Sequence, residues 1–188
     1  MNKLWKTAAA AVLLLFLLPR LEAQELSLST NLLDYANLAT LNMEASYGFA
    51  RHWSLNAGMR YNPFEFASPQ TGDVLRNRQQ SYALGARYWP WHIYSGWWLA
   101  AKLQYQEFNT GGFRSALTTE GDRYGSGLSG GYTYMLNSHL NMEFGLGLWG
   151  GYERYTEYAC PVCGKIEGKG SRTFLRPNEL LLSLSYVF

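Results

Sequence analysis

From residue 26 onward, apolar side chains fall at every second position in short blocks, and polar residues fill the alternate places. A period of two is that of a β-strand, whose successive side chains point to opposite faces. The blocks run from Leu26 to Leu32, Leu41 to Phe49, Trp53 to Tyr61, Tyr82 to Tyr88, Trp97 to Tyr105, Leu128 to Leu136, Leu140 to Leu148 and Leu180 to Phe188. They predict eight strands, each with one apolar face, and none of those faces carries a charge. A soluble barrel with a ligand pocket turns its apolar face inward and sets Lys and Glu outside. Here the charges alternate with the apolar set, and the closing segment Glu179–Phe188 is long enough to cross a bilayer. The pattern predicts an all-β, eight-stranded antiparallel up-and-down transmembrane β-barrel with lipid against its apolar face.

The connections agree with that reading. Ala50–His52 and Asn137–His139 read as tight turns and Pro90–Ser95 as a modest one, whereas 62–77, 109–123 and 156–171 read as long loops. The first connection on the long-loop side, near Asp34 to Asn37, reads as a short loop. Short turns on the periplasmic side and longer loops outside are the usual asymmetry of such barrels. Aromatics gather at the strand ends: Phe49, Trp53, Tyr88, Trp97, Tyr134, Tyr186 and Phe188 at one rim, and Tyr61, Tyr82, Tyr105 and Tyr152 at the other. Amphipathic rings prefer interfacial depth. Tyr186 and Phe188 also read as a C-terminal signal for the barrel-assembly machinery.

The N-terminus begins with Lys3 and Lys6, continues through an apolar stretch from Thr7 to Leu18, and reaches a small residue at Ala23. This reads as a signal peptide over 1–23, with the barrel domain over 24–188 and export to the outer membrane. Cleavage after Ala23 removes Lys3, Lys6, Arg20 and Glu22, which takes sixteen basic and fourteen acidic side chains to thirteen of each. A neutral mature chain gives nucleic acid no basic footprint. Fourteen Tyr, seven Trp and nine Phe in a chain of slightly negative mean hydropathy suit apolar residues dispersed by alternation.

Positions between the apolar sets line the interior. Glu44, Arg60, Arg87, Lys102, Glu143 and Glu179 are its charged members. With a tight turn around Arg51, Glu44 lies nearly opposite Arg60 on the neighbouring strand, which predicts an ion pair. Arg87 and Lys102 need anions, with Glu143 and Glu179 as candidates, because buried charge is tolerated only when paired. The bland reading is a plugged interior; the sharper one is a gated, ion-conducting channel. Inward glycines such as Gly127, Gly131, Gly145 and Gly147 leave room for long side chains of the opposite wall, Arg60, Lys102 and Gln104.

Cys160-Pro-Val-Cys163 reads as a local disulfide in an exported loop. Half a zinc site or a reactive thiol pair are the alternatives. His52, His92 and His139 all fall in short turns, away from any outer-rim base that lipid chemistry would need. No cofactor, metal or catalytic set is expected. Asp73, Glu107, Asp122, Glu153 and Glu157 read as solvated loop acids, and Lys165, Lys169 and Arg172 as solvated loop cations.

Ser29-Thr-Asn-Leu-Leu-Asp-Tyr35 resembles the K-T-N-L-L-Y-D opening of a family of small outer-membrane proteins from Bacteroidetes catalogued as a domain of unknown function. Further similarity lies in Asn42-Met-Glu44, Arg51-His-Trp-Ser-Leu55, Arg87-Tyr-Trp89, Gly150-Gly-Tyr-Glu-Arg-Tyr155 and the stretch from Arg172 to Asn178. The resemblance implies an outer-membrane barrel with no catalytic residues, and its gene neighbourhoods imply an accessory role beside fimbrial subunits. The expected role is structural, adhesive or accessory to surface assembly, for a monomer in outer-membrane lipid. A narrow channel is the first alternative and a lipid-modifying enzyme the second.

Overall fold

The computed structural model describes residues 26–67, 74–111, 117–159 and 164–188, without the side chains of 67, 178 and 179. The expected leader at 1–23 and the Cys160 and Cys163 pair lie outside the described residues. In chain order the elements are β1 (Leu26–Asn31), α1 (Leu32–Ala36), β2 (Leu41–Ala50), β3 (Trp53–Asn62), β4 (Glu65–Ala67), β5 (Val74–Tyr88), β6 (Gly96–Gly111), β7 (Thr118–Met135), β8 (Leu140–Tyr158) and β9 (Ile166–Val187). Each of eight strands pairs antiparallel with its neighbours in the order β1-β2-β3-β5-β6-β7-β8-β9, and β9 pairs back onto β1. The sheet thus closes in a ring of eight strands, with β4 added only beside the start of β5.

The period of two sets the faces. Along β6, Trp97, Leu99, Leu103 and Tyr105 are exposed outward while Trp98, Gln104 and Gln106 are buried inward. Tyr82, Tyr105, Tyr124 and Tyr152 are successive cross-strand neighbours and form one row on the outer face. Toward the other end, Trp53 meets Tyr88 at 5.0 Å, Trp97 meets Tyr132 at 5.2 Å and Tyr186 meets Phe188 at 5.0 Å between ring centroids. Between the two aromatic rows lies a belt of leucines, among them Leu103, Leu128 and Leu175, exposed at 69%, 70% and 74%. From Trp97 to Tyr105 the strand rises by about 27 Å at roughly 3.4 Å per residue.

Three features depart from the sequence expectation. The long connections are largely strand: β5 begins at Val74, β7 at Thr118 and β9 at Ile166. These strands continue past the tyrosine row because their alternation persists there with polar residues in place of apolar ones. Leu32 belongs to α1 and not to the first strand. Asn31 ends β1 by capping that helix, its side chain accepting from Leu33 N at 3.3 Å and Leu182 N at 3.1 Å. Finally, Arg60 stands opposite Asn42, and Glu44 opposite Gly58. Arg51 and His52 make the turn and a bulge falls between Gly48 and Ala50, so Glu44 stands diagonal to Arg60 on the same face, and the two side chains take other partners.

Candidate functional site: the polar interior and the loop-end cup

The ring has a short-turn end, where the connections after β2, β5 and β7 lie, and a loop end with the other connections. At the short-turn end the segment 89–95 folds inward. Trp89 and Trp98 are essentially inaccessible, Tyr94 is buried between them and Val187, and Trp89 meets Tyr94 edge-on at 5.7 Å. Trp89 Nε1 donates to Ser54 Oγ at 3.1 Å and Tyr94 OH to Ser46 O at 3.0 Å. Tyr94 pays for this position with a left-handed backbone, φ 62°, which is uncommon for a bulky residue. Gly96 follows at φ 74°, where a Cβ would strike the Trp91 ring at 2.8 Å.

The glycines of β7 and β8 make the room. A Cβ on Gly131 or Gly145 would lie 2.6 or 3.0 Å from the Trp98 ring, and one on Gly127 would lie 3.1 Å from Lys102 Cε. The space is therefore taken by Trp98 and Lys102, both from neighbouring β6. Lys102 is one of the three residues expected to fill it; Trp98 is the filler that the sequence reading missed.

Above the aromatic plug sits a charged brace. Arg87 on β5 donates to Glu143 Oε2 on β8 at 2.9 Å and to Glu44 Oε1 on β2 at 2.8 Å. Its guanidinium lies 4.2 Å from the Trp98 ring centroid. Asn56 Nδ2 donates to Glu44 at 2.9 Å, and Ser54 links Asn56 to the Trp89 indole. Arg87 and Glu143 pair as expected, and Glu44, assigned by sequence to Arg60, completes the same brace. Arg60 finds Asp34 of α1 at 2.8 Å instead. No sequence signal pointed to Asp34, because a helix of five residues carries no period to detect. The gaps left around this brace are about 50 and 30 Å³, room for a water or two. The side chain of Glu179, the remaining charged candidate, lies outside the described residues.

Toward the loop end, Asn62 donates to Leu38 O at 3.0 Å and Thr40 Oγ1 at 2.9 Å, holding the α1–β2 connection against the ring. Beyond it the interior widens into an open cup of about 920 Å³, walled in part by Gln79, Phe108, Gly121, Tyr155 and Gly170. Arg123, Glu153 and Arg172 cluster beside it. Glu153 and Arg172, read from sequence as loop residues, face inward in phase with Gly151 and Phe174. At the strand tips Tyr158 donates to Glu120 at 2.5 Å, a bond that pushes its phenol above the ordinary value.

His52 Nδ1 lies 2.8 Å from Trp89 O, and His139 stacks on Tyr186 at 5.9 Å, so both histidines serve the short-turn end. Tyr186 and Phe188 stand on the outer face there, exposed at 47% and 54%. Among the described residues, no three His, Cys, Asp or Glu side chains gather as metal ligands.

No curated protein matches the chain. The profile of a family described as "Protein of unknown function (DUF3575)" matches residues 9–188, nearly the whole sequence, and the chain belongs to that family.

Proposed function

We propose that the chain is a small transmembrane β-barrel of the cell outer membrane, with a plugged interior and a structural, adhesive or surface-assembly accessory role. The observation that carries this reading is an inverted polarity. Leucines exposed at 61% (Leu180) to 74% (Leu175) form a belt outside, while Arg87, Glu143 and Glu153 are buried inside at 6%, 3% and 0%. Water would oppose both halves of that arrangement, and lipid favours both. Patches of exposed apolar surface on soluble monomers rarely exceed a few hundred Å². Two aromatic rows at the belt's edges match the girdles that mark the bilayer interfaces.

On this reading the signal peptide delivers the chain across the inner membrane, and the β9 segment ending in Tyr186 and Phe188 engages the assembly machinery. The aromatic plug and the Arg87 brace weigh against conduction, so the protein presents its loop-end cup and strand tips to the exterior. A surface role beside fimbrial or other fibre proteins is compatible with that geometry. The test is refolding of the mature chain into phosphatidylcholine vesicles. A band on unheated gels that migrates apart from the boiled one, tryptophan emission quenched by brominated acyl chains, and flat single-channel traces are expected. A chain that stays monomeric and folded in buffer without detergent would overturn the membrane assignment; steady conductance would replace the plugged reading with the channel.

A further inference from the structure

A second cluster of charge, separate from the Arg87 brace, lies beside the loop-end cup. Glu153 on β8 is fully buried and receives Arg123 Nε from β7 and Arg172 Nε from β9, the latter at 2.6 Å. Arg176 Nη2 stands 3.7 Å away. Among the described residues Glu153 is the only carboxylate within ion-pairing distance of these three guanidinium groups. Among the described residues, one negative charge against three leaves an excess of two. The hydrogen-bond count is as uneven, since a carboxylate offers about four acceptor sites and each guanidinium five donors.

The geometry fixes the excess in place. Arg123 lies 3.4 Å from the Phe108 ring centroid, Arg172 4.7 Å from Tyr155 and Arg176 5.9 Å from Phe174. A guanidinium stacked on a ring keeps its in-plane donors free and loses little freedom on binding. Arg123 is buried, whereas the Arg172 and Arg176 side chains are exposed at 49% and 44%. Phe108 and Tyr155 also wall the cup, whose volume is within the range of small-molecule sites.

We propose that Arg172 and Arg176, seated on Glu153, form an anion site that takes a phosphoryl group entering the cup. A phosphate monoester carries roughly −1.5 to −2 charges at neutral pH and three acceptor oxygens, matching the excess charge and the idle donors. The group is borne either by a small soluble molecule such as a sugar phosphate or by the phosphorylated headgroup of a lipid. The site requires only that the cup opens to water, so it does not depend on the membrane assignment.

The test uses the mature full-length protein in a non-ionic detergent, titrated calorimetrically with inorganic phosphate and with glucose 1-phosphate, and the same protein in nanodiscs with and without lipid A. Saturable binding of one phosphoryl group per chain is expected, weakened at least tenfold in Arg172→Gln/Arg176→Gln and unchanged in Arg51→Gln at the opposite end. Binding of the soluble phosphates supports a soluble ligand; retention of lipid A alone supports a headgroup. Arg176→Gln by itself, the variant at the longest contact with Glu153, keeps the test valid if the double variant fails to fold, and should weaken binding at least threefold. Absence of binding by all three probes, or equal binding by wild type and variants, would overturn the proposal.

Discussion

The two halves of the ring's interior are filled by opposite means. The short-turn half is packed with Trp89, Tyr94 and Trp98, whose rings meet one another and whose polar atoms include donors to Ser54 and Ser46. The loop half holds an excess of guanidinium beside an open cup. Arg87 stands at the boundary, with its guanidinium over the Trp98 ring and its nitrogens on Glu44 and Glu143. The contrast lies in what fills each half: aromatic packing occupies the first, and charged side chains stand beside an open space in the second.

The boundary is the most sensitive place to break that division. Arg87→Leu strands buried Glu143 and deprives half-buried Glu44 of its cation, and loss of one partner from a buried pair costs about 3–5 kcal/mol. Urea unfolding in vesicles should show a loss of that size, with most of it recovered when Glu44 and Glu143 are also replaced by apolar residues of similar volume. Trp98→Ala empties the space against Gly131 and Gly145 and should cost about 3–5 kcal/mol by the same measurement, in line with large-to-small changes in packed interiors. Single-channel recording on that variant should remain silent, because the Arg87 brace still spans the interior; steady conductance would make the aromatic end the sole seal.

The outer face offers a sharper version of the same contrast across the tyrosine row. Leu103→Arg, inside the belt, should cost about 2–4 kcal/mol in vesicles. Glu107→Arg, two positions beyond Tyr105, should change stability by about 0.5 kcal/mol or less, as exposed substitutions do. Equal effects at the two positions would place the edge of the belt elsewhere. The smallest effect belongs to Asp34→Asn. Its pair with Arg60 is partly open to solvent, with side chains exposed at 18% and 19%, and the loss should be about 1 kcal/mol or less.

The faces of the strands were legible because a period of two assigns every residue to one side or the other. That phase already placed Trp98 inward, since it follows outward Trp97, and the missing bulk at Gly131 and Gly145 is its counterpart two strands wide. The ion pairs were less legible, because a partner need not come from the neighbouring strand: Glu44 stands diagonal to Arg60, yet it takes Arg87 of β5, while Arg60 takes Asp34 of α1. The far ends of β7, β8 and β9 read as loops since their outward positions turn polar beyond the tyrosine row, although Arg123, Glu153 and Arg172 keep the inward phase. The inward phase persists along these strands even where the outward residues change from apolar to polar.

The pairing of β1 with β9 has a mechanical consequence. Among the described residues that junction is made of five residue pairs and β1 meets β2 over four, against eighteen between β7 and β8. A ring so built has two short rows of teeth side by side, one on each edge of β1. Its first yielding under load should be the release of β1, which is held by fewer pairs on both sides than β8 is on either.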